Sequence, residues 1–313
     1  MNETFDRSAE FKIFGKTIRA KNYHCSVNGA PNREKKRPLK LQLSICPTMY
    51  CPGHCPFCSA PGSNERAFLD IKKLEFVLRE LKAAEAVRGI SISGGEPFTD
   101  TGLLNEIITL IFDFFGVEME IGINTNGSGL DRLHEIKRLS YLDTIHISRH
   151  SYDDRRNEKY FKTPVPTGSR IAEIVGTCYD PKLFTYNCLL LKDGIGTKEE
   201  MIKMLEFAAE TGVPKVGFIT PMPVNDYARE NRVFYRELFD KKDDSMLYTV
   251  AYSDFDYCHC MDGVYVSKNG TLVEFYGRET VYGTKDYVRG LVYGADNVLR
   301  TGFGKDAEVI FGG

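Results

Sequence analysis

Between Leu39 and Thr220 the chain alternates short β-rich runs with segments whose apolar residues fall at helical spacing. The β-rich runs are Leu39 to Ile45, Gly89 to Ser93, Val117 to Ile123, Asp143 to Ile147, Leu183 to Leu191 and Val216 to Thr220. Between them, Ile71, Leu74, Val77, Leu78 and Leu81 mark a helix over Asp70 to Ala86, stopped by Gly89. Leu103, Leu104, Ile107, Ile108 and Ile111 mark a second, capped by Asp100. Further helices are expected over Leu130 to Leu139 and Ser169 to Thr177. Thr197-Lys-Glu-Glu200 reads as a capping box opening one that runs through Glu210. Alternation at this spacing predicts parallel strands joined by right-handed crossovers. Six such units make an α/β fold, a partial (β/α)6 barrel. Barrels of this kind carry their reactive groups on loops at the C-terminal strand ends.

Beyond Pro221 the pattern changes. A helix is expected over Asn231 to Phe239. Strand-like runs follow at Val264 to Ser267, Thr271 to Phe275, Tyr287 to Tyr293 and Val298 to Gly302, with a hairpin signal at Asn269-Gly270. The expected organisation is an N-terminal extension over 1–38, a partial barrel over 39–223, and a β-rich C-terminal cap over 224–313 closing one side of the barrel. Within the extension, Phe11 to Ala20 reads as a small hairpin turning at Gly15, with nothing catalytic in it. No internal repeat or low-complexity tract interrupts this plan.

The chain has 313 residues and a net charge of -2, so no global basic field marks a nucleic-acid partner. The basic run Arg33 to Lys40 reads as a solvated loop. No apolar run reaches membrane-spanning length and the N-terminus has no signal-peptide core, so no membrane partner and a cytoplasmic location are expected. The nine cysteines are odd in number and locally clustered, a pattern of metal ligation in a reducing compartment more than of disulfides. Cys178 and Cys188 sit among apolar residues and read as buried core thiols.

Directly after the first strand comes Cys51-Pro-Gly-His-Cys55-Pro-Phe-Cys58. Soft thiolates this close select an iron–sulfur cluster or zinc. Three thiolates on a four-iron cluster leave one iron open for chemistry. Zinc would want a closed set of four, with Cys46 as the fourth. His54 reads as a loop residue and Cys46 as a strand-end thiol. Two other turns fall at strand ends. In Gly94-Gly95-Glu96-Pro97 the glycines would let a ligand approach the backbone, and Glu96 could accept from a ligand ammonium group. Thr125-Asn126-Gly127 ends the third strand as a turn.

The CxxxCxxC spacing, with Phe57 before the last cysteine, resembles the signature of the radical S-adenosylmethionine (SAM) superfamily. The resemblance implies that Cys51, Cys55 and Cys58 are the catalytic metal ligands of a [4Fe-4S] cluster whose open iron chelates SAM. It implies reductive cleavage of SAM to a 5'-deoxyadenosyl radical, which takes hydrogen from a small-molecule, nucleotide-derived or peptide substrate. It also implies a flavodoxin- or ferredoxin-like electron donor. Gly94, Gly95 and Glu96 resemble the motif that holds the SAM amino group. Asn126, Ser148 and Asn187 resemble contacts to its ribose or carboxylate, and Met222, in Pro221-Met222-Pro223, resembles the segment beside its adenine. Arg149 and His150 follow Ser148 where many relatives carry Leu-Asp.

Within that superfamily, Asn187 to Val224 and the terminal Gly312-Gly313 are similar to GTP 3',8-cyclase of molybdenum cofactor biosynthesis. The departures are informative. That cyclase carries a second cluster on three cysteines; this chain offers Cys258 and Cys260, with Glu274 about where the third would stand. Gly89, Ser91, Thr185 and the run Met261 to Val264 occupy positions that are basic in the cyclase. A triphosphate needs such partners. The expectation is therefore an enzyme that kept the SAM machinery and changed substrate, with Tyr227, Arg229, Arg232, Tyr265, Tyr276 and Arg278 as candidate pocket residues. A divergent cyclase and a non-catalytic zinc- or cluster-bearing binding protein are the alternatives.

Overall fold

The computed structural model describes residues 8–21, 40–58, 66–239, 247–251, 264–277, 288, 290–303 and 307–312. The six expected strands form as β3 (Leu41–Ile45), β4 (Val87–Ile92), β5 (Glu120–Thr125), β6 (Thr144–Ser148), β7 (Phe184–Leu189) and β8 (Lys215–Thr220). They pair in sequence order, all parallel. The helices between them are α1 (Ile71–Ala83), α2 (Thr101–Phe115), α3 (Asp154–Phe161), α4 (Gly168–Thr177) and α5 (Lys198–Glu210). Asp70 caps α1 by accepting from the backbone N–H of Lys72 and Lys73, and Asp100 caps α2 through Leu103. Thr197 caps α5 by accepting from Glu200 N–H. The Glu200 carboxylate is engaged elsewhere, accepting from Tyr152 and Arg156.

Several expected elements are corrected. Helix α1 ends at Ala83, not near Gly89, because Glu85 turns the chain with φ 49° and β4 already begins at Val87. Strand β5 starts three residues later than expected, since Gly116–Glu118 is a 3-10 turn. The segment expected as a helix over Leu130 to Leu139 is two 3-10 turns, Leu130–Glu135 and Leu139–Tyr141. Its apolar residues Leu130, Leu133, Ile136 and Leu139 recur every third position, the 3-10 period. The helix expected over Asn231 to Phe239 splits into α6 (Asp226–Asn231) and α7 (Tyr235–Leu238). The break is a stretch of extended pairing: Lys192 N donates to Asn231 O and Val233 N to Leu190 O. Helix α3 was not foreseen.

Among the described residues, the C-terminal strands extend the barrel's sheet at both edges. The hairpin of β10 (Val264–Ser267) and β11 (Leu272–Gly277) forms as expected, with β9 (Leu247–Ala251) beyond it. Strand β11 lies parallel to β8, whereas β12 (Gly290–Tyr293) lies parallel to β3 at the opposite edge. Then β13 (Leu299–Arg300) and β14 (Val309–Phe311) continue outward from β12. The parallel run is therefore eight strands, from β12 through β3–β8 to β11. The N-terminal hairpin, β1 (Ser8–Ile13) and β2 (Lys16–Lys21), turns at Phe14-Gly15 with φ 48° and 74° and sits outside the barrel. Phe14 stacks on Phe311 and its N–H donates to Glu80 of α1. No described helix is long and apolar enough to cross a membrane.

The strands have unlike faces. Leu43, Ile45, Ile90, Ile92, Ile121, Ile123, Ile145, Ile147, Tyr186 and Phe218 point outward and are buried beneath the helices. The inward positions, in register across the sheet, are Ser44, Ser91, Gly122 and Thr144, then Asn124, His146 and Thr185, then Ser148, Asn187, Gly217 and Glu274. The lumen is lined by small and polar side chains. Cys188 is a buried outward-facing thiol as expected, but Cys178, at the end of α4, is only partly buried.

Candidate active site at the C-terminal strand ends

The cysteine loop leaves the end of β3 at Cys46. That thiol is buried, and burial with nearby Asp296 pushes it up to about 12. Cys51, Cys55 and Cys58 are partly exposed. The loop is seated by backbone bonds to its neighbours. Gly95 N donates to Thr48 O (2.8 Å), Glu96 N to Tyr50 O (2.9 Å), and His54 N to Phe161 O (2.8 Å). The side chain of Asn225, at the start of α6, donates to Pro56 O at 3.0 Å.

Gly94 and Gly95 are constrained by that seating. A Cβ on Gly95 would lie 2.1 Å from Tyr50 O, and one on Gly94 2.7 Å from Thr48 O, where φ is also +104°. The close approach expected of a ligand at these glycines is made by the cysteine loop's own backbone. Glu96 is likewise turned inward. It is 1% exposed; Oε1 accepts from Phe98 N and Thr125 Oγ1, and Oε2 from Asn126 N at 2.8 Å. Burial pushes its carboxyl up to about 7 against these hydrogen bonds. Glu96 therefore ties the end of β4 to the end of β5.

Asn126 joins these parts to the thiols. Its Oδ1 accepts from Ser128 N, closing an Asx turn, and its Nδ2 donates to Cys51 Sγ at 3.5 Å. Gly53 N donates to the same sulfur at 3.4 Å. Burial pushes Cys51 up, and Glu96 and the Cys58 thiolate add to the shift. Burial, then repulsion from Cys58 and Cys51, pushes Cys55 to about 12. Thiols gathered this way ionise when a metal supplies positive charge, and the two N–H donors at Cys51 fit a ligating thiolate. Among the described residues no three His, Cys, Asp or Glu side chains converge as they would on a single metal ion. A four-iron cluster takes each thiolate at a different iron, so its ligands need not meet at one point.

Phe57, 8% exposed, anchors the loop against a packed group behind it. His150 meets it edge-on at 4.7 Å, and Tyr160 and Tyr227 flank it. His150 Nδ1 accepts from Leu189 N at 3.1 Å, and burial holds the ring neutral, its pKa lowered to about 3. Tyr160 and Tyr227 both donate to the Asp193 carboxylate. Arg149 faces away from the lumen. It is 1% exposed, donates to the carbonyls of Ser151 and Pro166, and pairs with Asp154.

Ser148 and Asn187 pair across β6 and β7 on the lumen face. Asn187 Nδ2 donates to Asn124 Oδ1 at 3.5 Å, and Asn124 Nδ2 to Ser91 Oγ at 2.7 Å. Met222 is partly exposed in the loop after β8. Of the pocket candidates, Tyr276 lies in the lumen over Gly217 and donates to Glu274, and Tyr227 belongs to the group behind Phe57. Tyr265 does not reach the lumen. It is 2% exposed in the core against Phe239 and Phe275. Arg229 is exposed and paired with Asp226, and Arg232 lies over the Phe234 ring. Glu274 is buried and paired with Lys215 at 2.8 Å, so it is engaged by the fold. Cys258, Cys260, the segment Met261 to Gly263, Arg278 and Gly313 lie outside the described residues. Sequence reasoning gave no site role to Asn124, Ser91, His150 and Asp193. The first two were legible as polar residues alternating with isoleucine on β4 and β5.

A thiol loop at the C-terminal end of the first strand of an open parallel barrel lies where α/β barrels carry their reactive groups. The chain belongs to the radical SAM superfamily, whose family model matches residues 45–232, more than half of its length. That family implies a [4Fe-4S] cluster and SAM as cofactors, and its members are enzymes. The fold is similar to that of Streptococcus suis SuiB bound to S-adenosylmethionine (TM-score 0.58, 17% identity, covering 87% of this chain and 63% of that one). It is also similar to SuiB bound to precursor peptide SuiA (TM-score 0.51, 17% identity, 86% and 60% covered). The chain thus spans about three fifths of those structures. No curated protein matches it.

Proposed function

We propose that this chain is a radical SAM enzyme that carries a [4Fe-4S] cluster on Cys51, Cys55 and Cys58 and cleaves SAM reductively. The observation that carries the reading is convergence. The Gly94-Gly95-Glu96 turn seats the cysteine loop, Glu96 holds Asn126, and Asn126 donates to Cys51 Sγ. Three motifs far apart in sequence become one hydrogen-bonded unit at the mouth of a polar lumen. When bound, the cluster and SAM would supply a 5'-deoxyadenosyl radical that takes hydrogen from substrate. The protein's own part is to ligate, orient and shield. The Gly94-Gly95 backbone and the Glu96 carboxylate would hold the SAM amino group, Asn126, Ser148 and Asn187 its ribose or carboxylate, and Met222 would lie by its adenine. Residues 39–223 make the barrel, with 1–38 as an extension and 224–313 completing its edges.

The described lumen favours a neutral polar substrate, such as a peptide segment or an uncharged small molecule. Its Lys215 is already paired with Glu274, which leaves little to balance a polyphosphate. The peptide-bound SuiB structure makes a peptide a natural first trial. The test is anaerobic incubation of reconstituted protein with SAM and dithionite, followed by chromatography for 5'-deoxyadenosine. Wild type should produce it and Cys51→Ala should not. Equal production by both would refute the assignment.

A further inference from the structure

Reductive cleavage needs an electron to reach the cysteine loop, and the lumen side of that loop is where SAM and substrate must sit. The other side is reached past α3. His54 N donates to Phe161 O, so the last turn of α3 is bonded directly to the loop, and Lys162 follows. A shallow depression of about 370 Å³ opens there, lined by Arg155, Glu158, Lys159, Lys162, Thr163 and Pro164. Its four charged residues are all exposed, three of them cations and one an anion. The neighbouring Asp193 is occupied by the Tyr160 and Tyr227 hydroxyls, and Arg156 by Glu200, so neither changes the sign of the face. A positive face on a chain of net charge -2 is a local departure that packing does not require.

We propose that the face formed by Arg155, Lys159 and Lys162 is the docking surface for an acidic electron-carrier protein. The inference rests on the functional reading above. In the step it serves, one electron leaves the carrier's cofactor and reduces the cluster by one, with no bond made or broken in this chain. The cations raise the encounter rate with an acidic partner and orient it with its cofactor toward the Cys55 side of the loop.

The test uses reconstituted protein and a purified, reduced flavodoxin, with a reduced ferredoxin in parallel, and follows cluster reduction by stopped-flow absorbance. The variant is Arg155→Glu/Lys159→Glu; Lys162 is left alone because its φ of 53° ends the helix in the left-handed region. Lys72→Glu/Lys73→Glu on α1 makes the same charge change elsewhere. The expected result is reduction of the α3 variant by the carrier roughly tenfold slower than wild type, with the α1 control unchanged. Wild-type rates should also fall as salt rises. Photoreduced deazariboflavin, a small uncharged reductant, should reduce all three proteins alike. The proposal is overturned if the α3 variant matches wild type, if deazariboflavin is slowed as much as the carrier, or if neither carrier reduces wild type that deazariboflavin does reduce. A wild-type protein with no reducible cluster would remove the functional reading and this proposal together.

Discussion

The two faces of the same strands are built to different rules. On β3 to β6 the outward residues are leucine and isoleucine, buried under α1, α2 and the 3-10 turns. The inward residues are glutamine and serine on β3, glycine and serine on β4, glutamate, glycine and asparagine on β5, and threonine, histidine and serine on β6. Parallel sheets covered on both faces read as continuous apolar runs. Here the alternation survives because one face looks into a lumen. The outer face holds the fold together; the inner face is left for ligands. At the strand ends the division lapses, because residues there both seat the cysteine loop and line the mouth.

The comparison can be broken most severely at such an end. Gly95→Ala puts a Cβ against a carbonyl that cannot retreat without unseating the loop. The expected outcome is near-complete loss of iron after reconstitution, read by metal analysis, with a lowered melting temperature. Next in size are substitutions that sort the faces. Leu43→Ala, outward and fully buried, should cost about 2–5 kcal/mol in urea unfolding. Asn124→Ala, inward, should cost about 1 kcal/mol or less because its partners keep access to the lumen. Its larger effect should be weaker SAM binding, measured by calorimetry on reconstituted protein. Equal stability costs would erase the distinction.

A smaller effect is set by pH. Glu96 has its carboxyl raised to about 7 in the fold, so the native state binds that proton more tightly than the unfolded chain. Its contribution is fully present below about 4.5, the ordinary value, and is lost as pH rises through about 7. His150 runs the other way. Lowered to about 3, it adds stability above about 6.5 that is lost as pH falls through about 3. Glu96→Gln should therefore flatten the decline in urea midpoint between pH 5 and about 7.5, leaving the acid-side decline in place.

The alternation of Leu39 to Ile45, Gly89 to Ser93 and their successors made the barrel strands legible, because period-two burial is local. So were the thiols, the caps at Asp100 and Thr197, and the Asn269-Gly270 hairpin. What was not legible depended on distant partners. Helix α3 buries only Asn157, Tyr160 and Phe161 and so has little periodicity to read. Strands β11 and β12 find β8 and β3 across long stretches of chain. In the site, the bonds that fix the Glu96 carboxylate come from Thr125 and Asn126, which only the fold brings near.

The measurement that tests the central claim most directly is iron and acid-labile sulfide per chain, on anaerobically reconstituted wild type and on Cys51→Ala/Cys55→Ala/Cys58→Ala. The account predicts about four of each in wild type and background levels in the variant, a single cluster on the loop after β3. Wild-type levels retained in the variant would contradict it and would move the metal centre away from this loop.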